Sequence, residues 1–375
     1  MEKRAFLENN ISLLGFGIMR LPMVQGTDEI DVAQVTQMVD TAIKSGINYF
    51  DTAYPYHGGK SERVLKEVLV DRYDRSQYFL ADKMPVWEVN EYADFDRLFN
   101  IQLERTGVDY FDFYLLHALS QDRHEKHGEI GMYLFMQELK ASGRVKHIGF
   151  SFHDKPDALR QILTDQPEME FVQLQINYLD WDAIGAGECY DIATEMGKPV
   201  IVMEPVKGGS LVNLPDKAKS ILDALHGGSY ASYAIRFAAS FDGIMVVLSG
   251  MSGMEQLEDN IRYMKKFNPL SEAEFTAVNE VREILGKQDS IPCTACQYCT
   301  DGCPKHIPIS DLFSCMNAKK QYQDWNSDWY YMVHTQSAGK ASDCIKCGKC
   351  ETSCPQHLLI MNLLEDVASV FEKRQ

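Results

Sequence analysis

The sequence predicts an α/β chain in which a closed (β/α)8 TIM barrel precedes a small, mainly helical, cysteine-rich domain. Between residues 13 and 266, eight apolar strand segments are each followed by a helical segment, and this alternation is typical of a parallel sheet. An open doubly wound sheet should carry G-x-G-x-x-G after its first strand, and Gly15–Gly17 does not complete that motif. Nine of the ten cysteines lie within Cys293–Cys354, which sets the last part of the chain apart.

Each predicted strand is a short apolar run, and several end in a polar residue. The predicted strands are 13–19, Ile47–Phe50, Tyr78–Lys83, Phe111–His117, Val145–Ser151, Phe171–Tyr178, Pro199–Pro205 and Ile244–Ser249. The predicted helices are Asp31–Ser45, one from about Ser61, Ala93–Arg105, Met132–Ser142, Pro156–Thr164, Ala183–Met196, a helical region Lys217–Ser240, Met254–Lys266 and Ser271–Leu285. A polar linker at Gly286–Ser290 separates a predicted barrel domain, residues 1–285, from a predicted second domain, residues 286–375.

Composition narrows the class of protein. The chain has 375 residues and a net charge of −17, which argues against nucleic acid and anionic membranes as partners. It has no apolar run long enough for a transmembrane helix, and its first residues lack the apolar core of a secretory signal. Clustered rather than evenly spread cysteines indicate metal binding in a reducing compartment, so we expect a cytoplasmic protein.

Three strands end in residues that can move or hold a proton. Asp51, Lys83 and His117 end consecutive strands, and Tyr56 lies in the loop after the first of them. Chemistry in a barrel of this kind takes place at the carboxyl ends of the strands. A lysine ammonium stabilises a neighbouring phenolate, a carboxylate can hold that lysine in place, and a histidine can orient a carbonyl. The set therefore predicts protonation of a carbonyl oxygen while hydride reaches the carbon.

The motifs D-T-A-x-x-Y, A-D-K, L-L-H, G-x-S and V-Q-x-x-x-N at successive strand ends resemble those of the aldo-keto reductase family over about residues 10–268. The resemblance implies a nicotinamide cofactor, NADP(H) or NAD(H), bound in extended form without a Rossmann fold. It implies that Tyr56 is the general acid/base, that Lys83 and Asp51 tune it, and that His117 orients a small carbonyl or alcohol substrate.

The resemblance also implies a set of cofactor-binding positions. Ser151 and Gln173 match the residues that hold the carboxamide, and Met203 replaces the usual stacking aromatic. Gly250 and Gln256 replace the cations that many NADPH-preferring members use, so NADH versus NADPH stays open, with Arg262 or Lys265 as possible substitutes. The implied positions are Ile18, Met19, Ser151, Gln173, Met203, Glu204, Pro205, Val206, Gly208, Gly250, Ser252, Gln256, Asp259 and Asn260.

The cysteine-rich region contains the pattern C-x2-C-x2-C-x3-C-P twice, at an offset of 51 residues. This pattern is typical of ferredoxins with two [4Fe–4S] clusters, in which the fourth cysteine ligates the other cluster. A zinc site would have longer loops between cysteine pairs. The expected ligands are Cys293, Cys296, Cys299 and Cys354 for one cluster, and Cys303, Cys344, Cys347 and Cys350 for the other.

Three functions remain open. In the first, an NAD(P)(H)-dependent barrel interconverts a carbonyl and an alcohol, and the clusters relay electrons to or from a ferredoxin- or flavodoxin-type partner. In the second, the barrel acts alone and the clusters are structural or redox-sensing. In the third, the chain is a redox-sensing regulatory module with slow catalysis. No flavin-binding signature is visible, and the substrate, reaction direction and oligomeric state stay open.

Some aromatic and loop residues are candidates for a substrate pocket. These are Trp87, Tyr92, Trp181 and the segment Ser120–His127. Within that segment we expect His124 and His127 to be solvated loop residues rather than ligands.

Overall fold

The computed structural model describes residues 1–7, 9–27, 29–287, 290–322 and 326–372. The chain divides into two compact units, Met1–Val206 with Lys219–Asn279, and Lys207–Ala218 with Glu280–Gln375. The predicted linker includes Gln288 and Asp289, which lie outside the described residues. The predicted division between residues 285 and 286 therefore stays a prediction.

The first unit is a closed barrel of eight parallel strands, as the sequence predicts. Every neighbouring pair is parallel, and the last strand pairs with the first to close the cylinder. An antiparallel hairpin of β1 (Lys3–Phe6) and β2 (Asn9–Ser12) precedes the barrel. The barrel strands are β3 (Leu14–Gly17), β4 (Tyr49–Asp51), β5 (Phe79–Met84), β6 (Phe111–Leu119), β7 (Val145–Phe152), β8 (Phe171–Gln175), β9 (Val200–Met203) and β10 (Ile244–Gly250).

The helices of this unit follow the predicted order with three differences, one of which is an additional short helix, Asp180–Ala183, before the helix predicted at Ala183–Met196. A helix at Gln121–Ile130 replaces an expected loop, and Gly227 and Gly228 divide the expected helical region Lys217–Ser240 in two. The first part ends at Asp223; Gly228 then has a φ of +124°, through which no helix continues, and Ser229 caps the next helix by accepting from the amide of Ser232. The helices are α1 (Val32–Ser45), α2 (Ser61–Leu65, continuing as a π-helical turn Lys66–Val70), α3 (Tyr92–Thr106), α4 (Gln121–Ile130), α5 (Met132–Ala141), α6 (Pro156–Asp165), α7 (Asp180–Ala183), α8 (Ala186–Glu195), α9 (Asp216–Asp223), α10 (Tyr230–Ala239), α11 (Met254–Met264) and α12 (Glu272–Gly286); α9 and α12 have residues in both units.

The amino-terminal hairpin supplies part of the barrel's interior core. The Phe6 ring lies 5.6 Å from that of Phe113 and 6.3 Å from that of Phe171. Ile11 is completely buried in the same cluster. Because Phe113 and Phe171 lie near the amino ends of their strands, this packing leaves the opposite, carboxyl ends of the strands for polar side chains.

The second unit is mainly helical, as expected, and its internal repeat extends to the backbone. Residues 51 positions apart share left-handed conformations: Ala295 and Lys346 have φ values of 52° and 55°, and His306 and His357 have 52° and 49°. Apolar side chains and the two cysteines Cys299 and Cys350 form one core. The helices are α13 (Tyr298–Asp301), α14 (Ile309–Tyr322), α15 (Asn326–Thr335), α16 (Lys349–Ser353) and α17 (Ile360–Phe371). Among the described residues, no helix is both long and apolar enough to cross a membrane.

Candidate functional site

The four predicted catalytic residues meet at the carboxyl ends of the barrel strands. Lys83 is completely buried, and its Nζ donates to Asp51 Oδ1 at 2.5 Å and to the Thr52 carbonyl at 2.8 Å. The same Nζ lies 3.4 Å from Tyr56 Oη. The Tyr56 and His117 rings are 6.0 Å apart at an interplanar angle of 82°. The structure thus brings an ammonium, a phenol and an imidazole together, and their catalytic roles stay a prediction until they are tested.

Burial controls the protonation of two members of this set. Burial raises the pKa of Asp51, and the Lys83 ammonium opposes that rise. Burial, reinforced by the positive charge of Lys83 and then by His153 and Arg123, lowers the pKa of His117 well below its usual value. His117 is therefore a neutral imidazole at neutral pH. It can hydrogen-bond a substrate oxygen, but it is a poor source of a full proton.

One of the three pocket-lining aromatics predicted from the sequence lies beside the catalytic set. The Trp87 ring is 5.0 Å from the His117 ring, and the guanidinium of Arg123 lies 5.2 Å from the centre of the Trp87 ring. Trp181 instead stacks on Phe241 at 4.3 Å. Its stacking partner lies just after α10, 60 residues further along the chain, so a place for Trp181 in a substrate pocket stays a prediction.

The other pocket predictions need correction. Tyr92 begins α3, and its hydroxyl donates to Glu138 at 2.6 Å on the outside of the barrel. His124 and His127 are not solvated, because their segment folds as α4 and packs on its neighbours. His124 bonds to the Tyr133 hydroxyl at 2.7 Å, and His127 is only 2% exposed.

The predicted carboxamide-binding residues line the barrel mouth. Ser151 and Gln173 are buried and are paired in register on neighbouring strands β7 and β8. The Gln173 amide donates to the Met203 sulfur at 3.5 Å, while its buried Oε1 has no hydrogen-bond partner among the described residues. A buried amide oxygen without a partner is costly. This oxygen suits the amide donor of a bound ligand.

Arg20 is a cation that the sequence prediction missed. It lies in the turn after β3, its guanidinium pairs with Glu204 at 3.3 Å, and its carbonyl accepts from the Ser252 hydroxyl at 3.0 Å. Its side chain also packs over Gly250, where an added Cβ would lie 3.3 Å from it. Three predicted cofactor positions, Glu204, Gly250 and Ser252, therefore surround one arginine. The only sequence signal was an arginine immediately after the predicted Ile18 and Met19.

The remaining positions of the predicted adenosine segment are held by local hydrogen bonds. Gln256 accepts from the Ser252 amide at 2.7 Å, and Asn260 donates to the Ser249 hydroxyl at 2.7 Å. Asp259 pairs with Arg262, one of the two cations expected as a phosphate ligand. Arg262 is therefore already engaged by a carboxylate.

The predicted pyrophosphate residues fall in both units of the chain. Pro205 and Val206 follow β9 in the first unit, whereas Gly208 belongs to the second. Gly208 has a φ of 63°, and an added Cβ would lie 2.5 Å from the carbonyl oxygen of Thr294. The neighbouring Lys207 is 3% exposed, and its Nζ lies 3.4 Å from Gln356 Oε1. The segment Lys207–Ala218 thus packs within the cysteine-containing unit.

The eight motif cysteines divide into two sets, each lining its own cavity. One cavity is lined by Cys293, Cys296, Cys299 and Cys354 with apolar side chains such as Phe313. The other is lined by Cys303, Cys344, Cys347 and Cys350. Each set takes its fourth cysteine from the other motif, in the crossed arrangement expected from the sequence. Among the described residues, no three His, Cys, Asp or Glu side chains converge on a point suited to a single metal ion, whereas four thiols around an apolar cavity fit a cluster.

Comparison with known proteins supports both parts of the interpretation. The barrel with its strand-end polar residues is that of an oxidoreductase. A model of the aldo/keto reductase family matches residues 13–283, which is most of the chain, so the protein belongs to that family. A model of the 4Fe-4S dicluster domain matches residues 292–359. The expected family, fold class and enzyme class are confirmed.

The relatives are distant in sequence, but the alignments cover most of the length of each relative. L-galactose dehydrogenase of Arabidopsis thaliana is 26% identical over 73% of this chain and 91% of its own. The 6-dehydroglucose reductase of Novosphingobium aromaticivorans is 28% identical over 64% of this chain and 80% of its own.

Solved structures show the same fold. The holo form of an aldo-keto reductase from Bacillus halodurans has a TM-score of 0.61, with 24% identity over 75% of this chain and 96% of its own. An aldo-keto reductase from Klebsiella pneumoniae, solved in complex with NADPH, has a TM-score of 0.59, with 18% identity over 75% of this chain and 96% of its own.

Proposed function

We propose that the barrel interconverts a carbonyl and an alcohol with a nicotinamide cofactor, and that Tyr56 exchanges the proton. The observation that carries this proposal is the placement of the buried Lys83 ammonium between Asp51 and Tyr56 Oη. When bound, the reduced nicotinamide supplies a hydride to the carbonyl carbon. A buried ammonium beside the phenol stabilises the phenolate that proton transfer leaves behind.

Tyr56 is a better proton donor here than His117. Because burial and Lys83 keep His117 neutral, its imidazole can donate a hydrogen bond to the carbonyl oxygen without losing a proton. The Tyr56 hydroxyl gives its proton to that oxygen during reduction and takes it back during alcohol oxidation. Asp51 keeps the Lys83 ammonium beside the phenol through both directions.

The residues at the barrel mouth fit a nicotinamide cofactor. The partner-free Oε1 of Gln173 can accept from the carboxamide, beside Ser151, and Met203 can pack on the ring. The guanidinium of Arg20 is suited to a cofactor phosphate. The NADPH complex of the Klebsiella pneumoniae reductase, which has the same fold, supports NADP(H). Dissociation constants for NADPH and NADH test this choice, and a large preference for NADH would contradict it.

We propose further that the two clusters relay electrons to or from a ferredoxin- or flavodoxin-type carrier. Bound [4Fe–4S] clusters would supply single-electron transfer, whereas a nicotinamide exchanges its two electrons as a hydride, so passing electrons between the two requires a flavin-type mediator. The cavity with the second set of predicted ligands is nearer to solvent, because Cys347 and Ile345 are exposed, whereas the residues 51 positions earlier, Cys296 and Thr294, are half-buried and buried.

Charge at this cavity favours a particular kind of carrier. Two exposed lysines, Lys305 and Lys349, line the cavity and are suited to an acidic partner. We therefore expect exchange with the carrier at the second cluster. Titrating the chain with acidic and basic redox carriers at two salt concentrations tests this expectation.

Two variants separate the three candidate functions. Tyr56→Phe should lower carbonyl turnover by a factor of about 10²–10⁴ while both clusters are retained, and a turnover close to that of the wild type would contradict the proposed chemistry. Cys299→Ala with Cys350→Ala should stop electron delivery to the carrier. If NAD(P)H-dependent carbonyl reduction in the folded double variant is unchanged and carrier reduction is absent in the wild type as well, the barrel acts alone. If no physiological carbonyl is turned over at all, the regulatory function is favoured.

A further inference from the structure

Two buried carboxyl groups lie directly behind the catalytic lysine, and the proposed chemistry does not use them. Asp82 precedes Lys83 on β5, and neighbouring residues on a strand point to opposite faces. Lys83 points toward Asp51 and Tyr56, so Asp82 points toward the surrounding helices. There it meets Glu62 of α2, and both side chains are completely buried.

In each carboxyl group, one oxygen accepts a hydrogen bond and the other has no donor among the described residues. Asp82 Oδ1 accepts from the Lys83 amide at 2.8 Å, and Glu62 Oε2 accepts from Arg105 Nη1 at 2.9 Å. Asp82 Oδ2 and Glu62 Oε1 are buried and have no donor among the described residues. Each carboxyl group shifts the pKa of the other, so the two are neighbours. Because a carboxylate only accepts, a hydrogen bond between them requires a proton on one of them.

The surrounding charges do not balance two carboxylates. Arg105 of α3 faces Glu62, and the ammonium of Lys83 is engaged by Asp51 on the inner side of the strand. The other groups that face the pair are the neutral side chains of Gln102 on α3 and Tyr114 on β6. Two like charges in a buried site with one adjacent cation are unfavourable, so one carboxyl group retains its proton.

The direction of both pKa shifts agrees with this geometry. Burial raises the pKa of Glu62 to about 7, with Arg105 acting against it. Burial, followed by repulsion from Glu62, raises the pKa of Asp82 well above its usual value. The pair therefore loses its last proton near or above neutral pH.

The pair is linked to the backbone on both sides of Lys83. Asp82 accepts from the Lys83 amide, and Gln102 Nε2 donates to the Lys83 carbonyl at 3.0 Å. Gln102 in turn accepts from the Tyr114 hydroxyl at 2.5 Å. Two facing carboxylates would repel each other and disturb these contacts. A change here moves the lysine on which proton exchange at Tyr56 depends.

We infer that Glu62 and Asp82 share one proton, and that this proton positions Lys83 and makes turnover fall when it is lost at alkaline pH. The two residues are positioning residues, since neither contacts the reacting atoms. The inference that the two residues share a proton does not depend on the proposed function, whereas the expected effect on turnover rests on that function.

Infrared spectroscopy of the full chain with its clusters tests the shared proton directly. We expect the wild type to show the C=O stretch of a buried carboxylic acid at pH 6–7, and to lose it on going to alkaline pH. Glu62→Gln and Asp82→Asn, which replace each carboxyl group by an isosteric amide, should each remove the band. Glu67→Gln, on the exposed side of the following helical turn, should leave it unchanged. A wild type without the band, or a band that persists in both amide variants, overturns the inference.

The pH dependence of kcat tests the positioning role. A single ionisation predicts an approximately tenfold fall in the wild-type kcat per pH unit on the alkaline side. Glu62→Gln should remove or shift that fall, and Glu67→Gln should superimpose on the wild type. A role in stability alone would lower kcat equally at every pH and would contradict the inference. If the chain turns over no carbonyl, the proposed function fails, and the infrared result still decides the shared proton.

Discussion

Replacing Lys83 by Met should destabilise the protein and make its stability depend more strongly on pH. The Nζ of Lys83 lies 2.5 Å from Asp51 Oδ1, and at an effective dielectric constant near 20 this pair attracts by about 7 kcal/mol before desolvation is counted. Desolvation offsets much of that attraction, and removal of one partner from a buried pair costs about 3–5 kcal/mol. Lys83→Met should therefore lower the free energy of unfolding by about that amount at pH 7.

The pH dependence follows from the Asp51 carboxyl group. Burial already raises the pKa of Asp51 above 3.8 with Lys83 beside it, so without the ammonium this pKa rises further. The folded variant then holds a proton that the unfolded chain releases. Its stability is greatest below the usual pKa of Asp51 and falls as the pH rises toward the new, higher pKa.

Urea unfolding from pH 5 to pH 8 measures both effects. Lys83→Met should lose stability with rising pH more steeply than the wild type. The double variant Lys83→Met with Asp51→Asn has no ionisable carboxyl group at the site, so it should lose the additional slope and recover part of the stability. If the single variant and the wild type have the same slope, the carboxylate and the ammonium do not form the buried pair described here.

Three further changes give sharp outcomes. Tyr56→Phe should lower kcat by a factor of about 10²–10⁴. The contact between Tyr56 Oη and the Lys83 ammonium is long, so in a urea titration the variant should lose only about 1 kcal/mol of unfolding free energy. Gly208→Ala places a Cβ within 2.5 Å of the Thr294 carbonyl oxygen at a positive φ, so it should reduce iron content and cluster absorbance. The control Gly209→Ala also has a positive φ, but its nearest neighbour is 3.9 Å away, so the reduction should be much smaller. Equal reductions in the two variants would exclude the close approach as the cause. Burial raises the pKa of Glu62 from 4.5 to about 7, so the contribution of Glu62 to stability is complete below pH 4.5 and is lost as the pH rises through 7. In calorimetry, Glu62→Gln should reduce this loss of stability with rising pH. If the loss is the same in the variant and the wild type, other groups cause it.

Much of the candidate site follows from local sequence because a parallel barrel has one catalytic end. Asp51, Lys83 and His117 each end an apolar run, and closing the barrel brings the carboxyl ends of those strands together. The cysteine motifs are equally local, since their spacing indicates two clusters and their repetition indicates two related halves. The same pattern predicts that each set takes its fourth cysteine from the other motif, and the cysteines that line the two cavities are divided in that way.

Contacts between distant segments could not be read in the same way. A highly charged segment with only one apolar residue, Ile130, looks like a loop until its neighbours are known, and α4 is such a segment although Ser120 and Gly131 cap it. An aromatic residue such as Trp181 is a plausible pocket residue from sequence alone, but in the folded chain its ring stacks on that of Phe241. The N-terminal hairpin was missed because its strands are short, and its core residue Phe6 packs on strands more than 100 residues away.

The sequence by itself determined the class of fold, the order of the strands, the family and the identity of the residues that end the strands, because each of these depends on periodicity or on local spacing. Only the tertiary structure decided which side chains touch. It placed Arg20 among the predicted cofactor residues, and it assigned Gly208 to the unit with the cysteines. It also set Glu62 against Asp82 behind Lys83. Proton affinity depends on burial and on the nearest charges, and both are properties of the folded chain rather than of any stretch of sequence.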